Sequence, residues 1–165
     1  VLQVSGPLTI LNVLIDAKYV FKAMRKKPDL MKDVFWKLGG EILRFMEEAR
    51  KYGVDMISYA DSSGGVNILG PKMMEAVTVN FTYPFLKKVE QLADDKTMIL
   101  LCPKTTLALI GTEKAKFVDH QLEEPIGYAQ ACIHMIGKAH FAGQMCIKNV
   151  GYQLNHGIFK EVKLL

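Results

Sequence analysis

An acid and two hydroxyls follow one of the apolar runs of this chain. Asp61, Ser62 and Ser63 follow residues 54–59 after one alanine, Ala60, and come just before a glycine pair. Carboxylates serve as general acids or bases, and hydroxyls hold substrates through hydrogen bonds. Side chains that meet a ligand in parallel α/β proteins project from the carboxyl ends of strands, so these residues are the first candidates for a functional site. Capping of the loop backbone by the same side chains is the alternative.

Polar residues follow three other apolar runs in the same way. Cys102, the pair Asp119-His120 and Asn149 each come at or just beyond the end of such a run. If the runs are parallel strands, their carboxyl ends lie at one edge of the sheet. We therefore expect these polar groups to converge with Asp61 on a single pocket.

Length and composition favour one globular domain. The chain has 165 residues, of which 50% are hydrophobic, and this is enough to bury a sizeable core. No stretch reaches the roughly 18 unbroken apolar residues of a membrane helix, and the chain does not start like a signal peptide. Three cysteines without framework spacing fit a reducing compartment. These features predict a soluble, cytoplasmic protein without a membrane partner.

The positive charge does not indicate nucleic-acid binding. The net charge is +4, but the basic residues lie on predicted helices with acids nearby, and no aromatic-interleaved basic stripe is present. We interpret these residues as solvated helix faces. A modest positive excess still helps to attract an anionic ligand into a cleft.

Strands alternate with helices along the chain. Three-and-four spacing of apolar residues predicts one long helix over residues 28–52, in which Gly39-Gly40 either weakens the helix or admits close packing. The other helices are predicted after Pro7 and Thr105 and over residues 17–24, 71–93 (kinked at Pro84), 126–138 and 158–162. Strands are predicted over residues 1–4, 54–59, 97–101, 116–118 and 140–147.

This alternation predicts about five parallel strands with helices outside, joined by right-handed crossovers. Periodicity alone leaves open whether the sheet is doubly wound or part of an eight-stranded barrel.

Several segments resemble the uroporphyrinogen decarboxylase superfamily, which also contains corrinoid-dependent methyltransferases of the methylcobamide:coenzyme M and O-demethylase types. The resemblance rests on their order and spacing. The segments are Ser5-Gly-Pro-Leu-Thr-Ile10, Lys27-Pro-Asp29, Ala60-Asp-Ser62, Leu69-Gly-Pro71, Tyr83-Pro-Phe-Leu-Lys-Lys88 and Cys146-Ile-Lys-Asn-Val150. Members are single (β/α)₈ TIM barrels of about twice this length. The resemblance therefore implies that residues 1–165 are one incomplete barrel, a fragment from the C-terminal half.

Individual residues distinguish the two branches of the superfamily. Val13 stands where the decarboxylases carry a tyrosine, whereas Ser62 matches a serine that contacts their substrate. The direct passage into residues 17–21 is similar to the methyltransferases. In that branch a His-x-Cys pair binds zinc; Cys102 matches its cysteine, but Leu100 replaces its histidine. Cys146 is interpreted as a packing residue.

The resemblance implies a methyltransferase that moves a methyl group between a small methylated substrate or thiol and a separate corrinoid protein, which carries methylcobamide. Zinc is the implied metal. Uroporphyrinogen decarboxylation and a non-catalytic binding role are the alternatives, and a homo-oligomer is left open. The predicted site residues are Asp61 and Asp119 as catalytic acids, Ser62, Ser63 and Asn149 as substrate contacts, and Cys102, with His120 as a weaker candidate, as metal ligands.

Overall fold

The computed structural model describes residues 1–123, 126–149 and 151–165. Within these ranges the strands form one six-stranded sheet, in the order β1-β2-β3-β5-β6-β4. β1, β2, β3 and β5 are parallel neighbours, whereas β6 pairs antiparallel with both β5 and β4. The strands are β1 (Leu2–Ser5), β2 (Met56–Ala60), β3 (Met98–Leu101), β4 (Ala115–Gln121), β5 (Phe141–Ala142) and β6 (Ile158–Leu164).

The fold is therefore mixed α/β with a mostly parallel sheet and surrounding helices, as predicted, and it is consistent with part of a TIM-barrel-like fold. None of the helices in the described ranges combines the length and the apolar character that a membrane crossing requires.

Proline sets the start of several helices. Pro7, Pro28, Pro71 and Pro103 each occupy the first turn, where a missing N–H costs nothing. The helices are α1 (Pro7–Leu14), α2 (Ala17–Lys26), α3 (Pro28–Lys51), α4 (Val66–Leu69), α5 (Pro71–Val77), α6 (Tyr83–Val89), α7 (Pro103–Gly111) and α8 (Tyr128–His134).

A π-helical turn, Thr78–Thr82, joins α5 to α6 just before Pro84. Proline lacks an N–H for the regular helical ladder, so the chain accommodates it with one wider turn. The segment predicted as one helix kinked at Pro84 therefore contains a π-helical turn just before that proline.

The sheet separates two hydrophobic clusters. Ile57 and Tyr59 of β2 belong to the larger cluster, which contains residues of α1, α3 and α6. Met56 of the same strand belongs to the smaller one, which contains residues of α8 and Phe159 of β6. Alternation along the strand assigns successive side chains to opposite faces.

Two predictions about the last third of the chain are wrong. The strand predicted over residues 140–147 is only Phe141–Ala142, and the helix predicted over residues 158–162 is the strand β6. Phe159 and Val162 are fully buried at a spacing that fits a helix, but seven residues of β4 pair with this segment. Because that pairing is a long-range contact, local periodicity gave no sign of it.

The insertion of β6 also changes the position of β4. The strand predicted over residues 116–118 extends to Gln121, so Asp119 and His120 lie within it rather than after its end. β4 has an antiparallel neighbour and occupies the edge of the sheet opposite to β1. It therefore does not belong to the parallel set in which we predicted it.

Candidate functional site

The carboxyl halves of β1, β2 and β3 border a cleft of about 210 Å³, which we call the strand-end cleft. From the sheet it is lined by Gln3 and Ser5 of β1, Ser58 and Ala60 of β2, and Cys102, which directly follows β3. Gln3 is in register with Ser58, and Ser5 with Ala60. Side chains at alternate positions of neighbouring strands share one face, so the strand register itself places these polar groups together.

Residues outside the sheet complete the walls of the strand-end cleft. Cys146, Ile147 and Lys148 come from the stretch that follows β5, and Thr9 and Ser62 come from α1 and from the turn after β2. Four hydroxyls, an amide, two thiols and one ammonium group therefore line it. No aspartate or glutamate is among the described lining residues.

Asp61 is buried beside this cleft, but its carboxylate caps α1. Its Oδ1 accepts hydrogen bonds from the backbone N–H of Thr9 (2.7 Å) and from Thr9 Oγ1 (2.8 Å), and its Oδ2 accepts one from the N–H of Leu8 (3.2 Å). Burial raises the pKa of the Asp61 carboxyl, while these hydrogen bonds oppose the rise. A Cβ at Gly6 would lie 2.4 Å from Asp61 Cβ, so glycine is required there.

The two serines after Asp61 have different surroundings. Ser62 lines the strand-end cleft, as expected of a substrate contact. The backbone N–H of Ser63 donates to Thr9 Oγ1 (3.3 Å), which ties the loop to the first turn of α1. Thr9 therefore connects the Asp61 cap with the wall of the cleft.

Asp119 and His120 lie far across the sheet from Cys102, since β5 and β6 separate β3 from β4. Asp119 Oδ1 accepts a hydrogen bond from Lys160 Nζ (2.8 Å), and His120 Nε2 lies 2.9 Å from Glu161 Oε2. Both contacts join β4 to β6. The expected convergence of all polar strand ends on one pocket is therefore wrong for these two residues.

Asn149 is exposed and lies next to the strand-end cleft in sequence. Its Nδ2 lies 3.7 Å from Met145 Sδ, and it follows Lys148 directly, but it is not one of the lining residues. As a substrate contact it stays a prediction.

The donor set for zinc is incomplete in the described part of the chain. Cys102 and Cys146 are both half-buried in the strand-end cleft, whereas a catalytic zinc site uses three protein ligands. Among the described residues no three His, Cys, Asp or Glu side chains form a group that could hold a metal ion. Those residues do not make a zinc site by themselves, and zinc binding at Cys102 stays a prediction.

Sequence reasoning missed six residues that bring hydroxyl, amide, thiol or ammonium groups to the cleft, and a signal for three of them was present. The six are Gln3, Ser5, Thr9, Ser58, Cys146 and Lys148. Gln3, Ser5 and Ser58 are polar residues at alternating positions of otherwise apolar strands, which marks one strand face as polar. Cys146, which we interpreted as a packing residue, lines the cleft because the strand after His140 ends early.

A mostly parallel sheet with surrounding helices and a cleft at its strand ends defines an α/β protein, and this architecture is consistent with part of a TIM-barrel-like fold. The family model described as uroporphyrinogen decarboxylase (URO-D) matches residues 2–123, which is most of the chain. The chain belongs to this family. No match was found among curated proteins or among solved structures.

Proposed function

We propose that this member of the URO-D family is a methyltransferase that moves a methyl group between a small methylated substrate or thiol and a separate corrinoid protein. The observation that carries the proposal is the make-up of the strand-end cleft. It combines thiols and hydroxyls with one cation, Lys148, and no described carboxylate. Such a lining suits a small substrate that is held by a few hydrogen bonds.

The size of the cleft supports the same substrate class. Its volume of about 210 Å³ is below the roughly 300–1,000 Å³ of pockets for drug-sized ligands. A tetrapyrrole with many carboxylates would need more room and several cations, and its pyrrole nitrogens would need an acid. Asp61, the acid that directly precedes the lining residue Ser62, is already engaged by α1.

The proposed reaction needs positioning more than acid–base chemistry. The bond between the methyl carbon and its donor breaks and leaves its electron pair on the donor, while a lone pair of the acceptor forms the new bond to carbon. A thiol acceptor first loses its proton to the solvent, and the lone pair of the thiolate sulfur then forms the bond to carbon. In this scheme Ser58 and Ser62 orient the acceptor by hydrogen bonds, and the stretch from Cys146 to Lys148 keeps water from the reacting atoms.

A methyl-transfer assay tests the proposal. The purified full chain is incubated with methylcobalamin and a small thiol, and loss of methylcobalamin absorbance and formation of the methyl thioether are followed. We expect turnover that falls about tenfold or more in Ser58→Ala, since misplacement of reactants is costly. Asp119→Asn, which changes an exposed residue of β4, is the matched control and should keep the wild-type rate. Absence of methyl transfer, or loss in both variants, would contradict the proposal.

Decarboxylation of uroporphyrinogen is the second candidate. One observation supports it, which is that Ser62, the match to a substrate-contacting serine of the decarboxylases, lines the strand-end cleft. Chromatography of the porphyrins formed from uroporphyrinogen distinguishes the two reactions. Products with fewer carboxylates, without any methyl transfer, would establish the decarboxylase, and retention of a ligand without either reaction would favour a binding protein.

A further inference from the structure

We propose that Thr9 determines specificity in the strand-end cleft, because its hydroxyl accepts a hydrogen bond from the ligand and does not donate one. The cleft then prefers a molecule with a hydrogen-bond donor at this wall. Asp61 is the positioning residue, since it fixes the hydroxyl proton of Thr9. The inference deepens the proposed function and rests on it only for the ligand's role as methyl acceptor.

The first argument is the hydrogen-bond donor that Thr9 has already used. Its Oγ1 lies 2.8 Å from Oδ1 of Asp61, and the same carboxylate oxygen accepts the backbone N–H of Thr9 at 2.7 Å. The other oxygen, Oδ2, accepts the N–H of Leu8. Both oxygens of Asp61 are therefore acceptors, and the proton of the side-chain contact comes from Thr9. A hydroxyl has one proton, so Thr9 has none left for a ligand.

The second argument is the acceptor capacity of the same hydroxyl. A threonine oxygen has two lone pairs, and the backbone N–H of Ser63 donates to one of them at 3.3 Å. One lone pair remains after this contact. A hydrogen bond between the Thr9 hydroxyl and a ligand is therefore one that Thr9 accepts.

The third argument is the place where this hydroxyl is held. Thr9 lines the strand-end cleft, and so does Ser62, which directly precedes the Ser63 that donates to Thr9. The hydroxyl therefore lies where α1 meets the turn after β2, and both elements contribute to the wall of the cleft there. Its contacts with Asp61 and Ser63 fix its orientation before a ligand binds, which lowers the entropic cost of binding.

These contacts distinguish between ligands of the same charge. A ligand hydroxyl donates to the remaining lone pair of Thr9. An ether oxygen places its own lone pairs against that of Thr9 and forms no hydrogen bond with it. We therefore assign the cleft a short molecule that carries a hydroxyl or another hydrogen-bond donor at the wall formed by Thr9.

Two small thiols test this selection: 2-mercaptoethanol, whose hydroxyl donates, and 2-methoxyethanethiol, whose ether oxygen only accepts. Both are uncharged, so ligand charge does not enter the comparison. Binding of each thiol to the purified full chain is measured by chemical-shift titration under reducing conditions. We expect the wild type to bind 2-mercaptoethanol about threefold to tenfold more tightly, which is the effect of one hydrogen bond.

Substitutions of Thr9 assign the effect to its residue. Thr9→Val has nearly the same shape without the hydroxyl and should remove the preference, whereas Thr9→Ser should keep it. Comparison of the wild type with Thr9→Val cancels the effect of the extra methyl group of the ether. Thr112→Val is the matched control. The Thr112 hydroxyl donates to the carbonyl of Ala108 (2.8 Å) and is not among the described lining groups, so the preference should be unchanged.

Asp61→Ala tests the positioning role. It frees the hydroxyl proton of Thr9, which can then donate to the ether oxygen, so the preference should fall toward equal binding while both thiols still bind. A residue that only caps α1 would leave the preference unchanged. Equal binding by the wild type, a preference that survives Thr9→Val or stays unchanged in Asp61→Ala, or no binding of either thiol would overturn the inference.

Binding and methyl transfer are measured separately. A preference for 2-mercaptoethanol without any methyl transfer would leave the inference standing and contradict the proposed function. Methyl transfer to both thiols with equal KM in the wild type would support the proposed function and overturn the inference.

Discussion

At the amino end of α1, the carboxylate of Asp61 supplies the hydrogen-bond acceptor that the first backbone N–H groups of a helix lack. The N-cap residue of α1, Gly6, has no side chain that could cap the helix. Asp61, which lies 53 positions after Leu8 and 52 after Thr9, takes this role. The same contact ties β2 to the helix that follows β1. At the scale of the single residue, Asp61 is therefore a structural contact next to the strand-end cleft.

We expect Asp61→Ala to lower the free energy of unfolding by about 2 kcal/mol, because it removes a helix cap and leaves buried N–H groups without acceptors. Asp119→Ala is the control. Asp119 is exposed and its ion pair with Lys160 lies at the surface, so its loss should cost less than about 1 kcal/mol. Urea unfolding measures both, and equal losses would refute the capping role.

The three cysteines should differ in reactivity. Cys102 and Cys146 are half-buried in the cleft, whereas Cys132 is fully buried and its burial raises the pKa of its thiol to about 12. Alkylation depends on the thiolate. With iodoacetamide at pH 8, peptide mass spectrometry should find Cys102 and Cys146 modified and Cys132 unmodified. Cys132 should react once the chain is unfolded in denaturant; its labelling in the native protein would contradict the structure.

At the scale of the element, the two adjacent glycines of α3, Gly39 and Gly40, have different surroundings. A Cβ at Gly39 would lie 2.9 Å from a ring carbon of Phe81 and 3.3 Å from one of Phe85, so α3 packs closely on the stacked pair of these rings. A Cβ at Gly40 would meet nothing within 4 Å. One glycine of the pair therefore admits close packing, and the other only weakens the helix.

Replacement of each glycine by alanine should have opposite effects. Gly39→Ala should destabilise the protein by about 1–3 kcal/mol, because it overpacks the contact with Phe81. Gly40→Ala should stabilise it by about 0.5–1 kcal/mol, because alanine is the better helix former at an exposed position. Thermal and urea unfolding of the two variants provide the measurement. Effects of the same sign would show that Phe81 does not pack against Gly39.

At the level of the whole molecule, the sheet joins two hydrophobic clusters that lie on its opposite faces. Trp36, the single tryptophan, packs in the larger cluster against Phe81, and Phe159 of β6 is fully buried in the smaller one. If the sheet couples both clusters into one cooperative unit, a substitution that destabilises the smaller cluster must also shift the unfolding transition of Trp36 fluorescence.

We expect Phe159→Ala to lower the unfolding free energy by about 3–5 kcal/mol and to shift the urea transition of Trp36 fluorescence and of circular dichroism together. Lys163→Ala, which changes an exposed residue of the same strand, should shift neither by much. A dichroism transition that moves while the Trp36 transition stays in place would mean that the β4–β6 ribbon unfolds on its own.

Local patterns were sufficient for the first two thirds of the chain. The apolar runs at β1, β2 and β3 and the three-and-four spacing of α3 predicted those elements, and proline marked the starts of α1, α3 and α5. The helix predicted after Thr105 begins earlier, at Pro103. The order of the motifs predicted the URO-D family, which the family model confirms over residues 2–123. For the site, the pattern identified Ser62 and Cys102, both of which line the strand-end cleft.

Contacts between segments distant in sequence decided the role of Asp61, the strand β6 and the position of β4. Asp61 follows a strand like a catalytic acid, but only the folded chain brings α1 to its carboxylate. The spacing of Phe159 and Val162 fits a helix, but pairing with β4 makes this segment a strand. That choice removed Asp119 and His120 from the site. The sequence by itself determined most elements of the first two thirds of the chain and the polar residues at their strand ends, because these depend on near neighbours. The tertiary structure decided the strand β6 and which of the strand ends meet, because strand order depends on pairing across the chain.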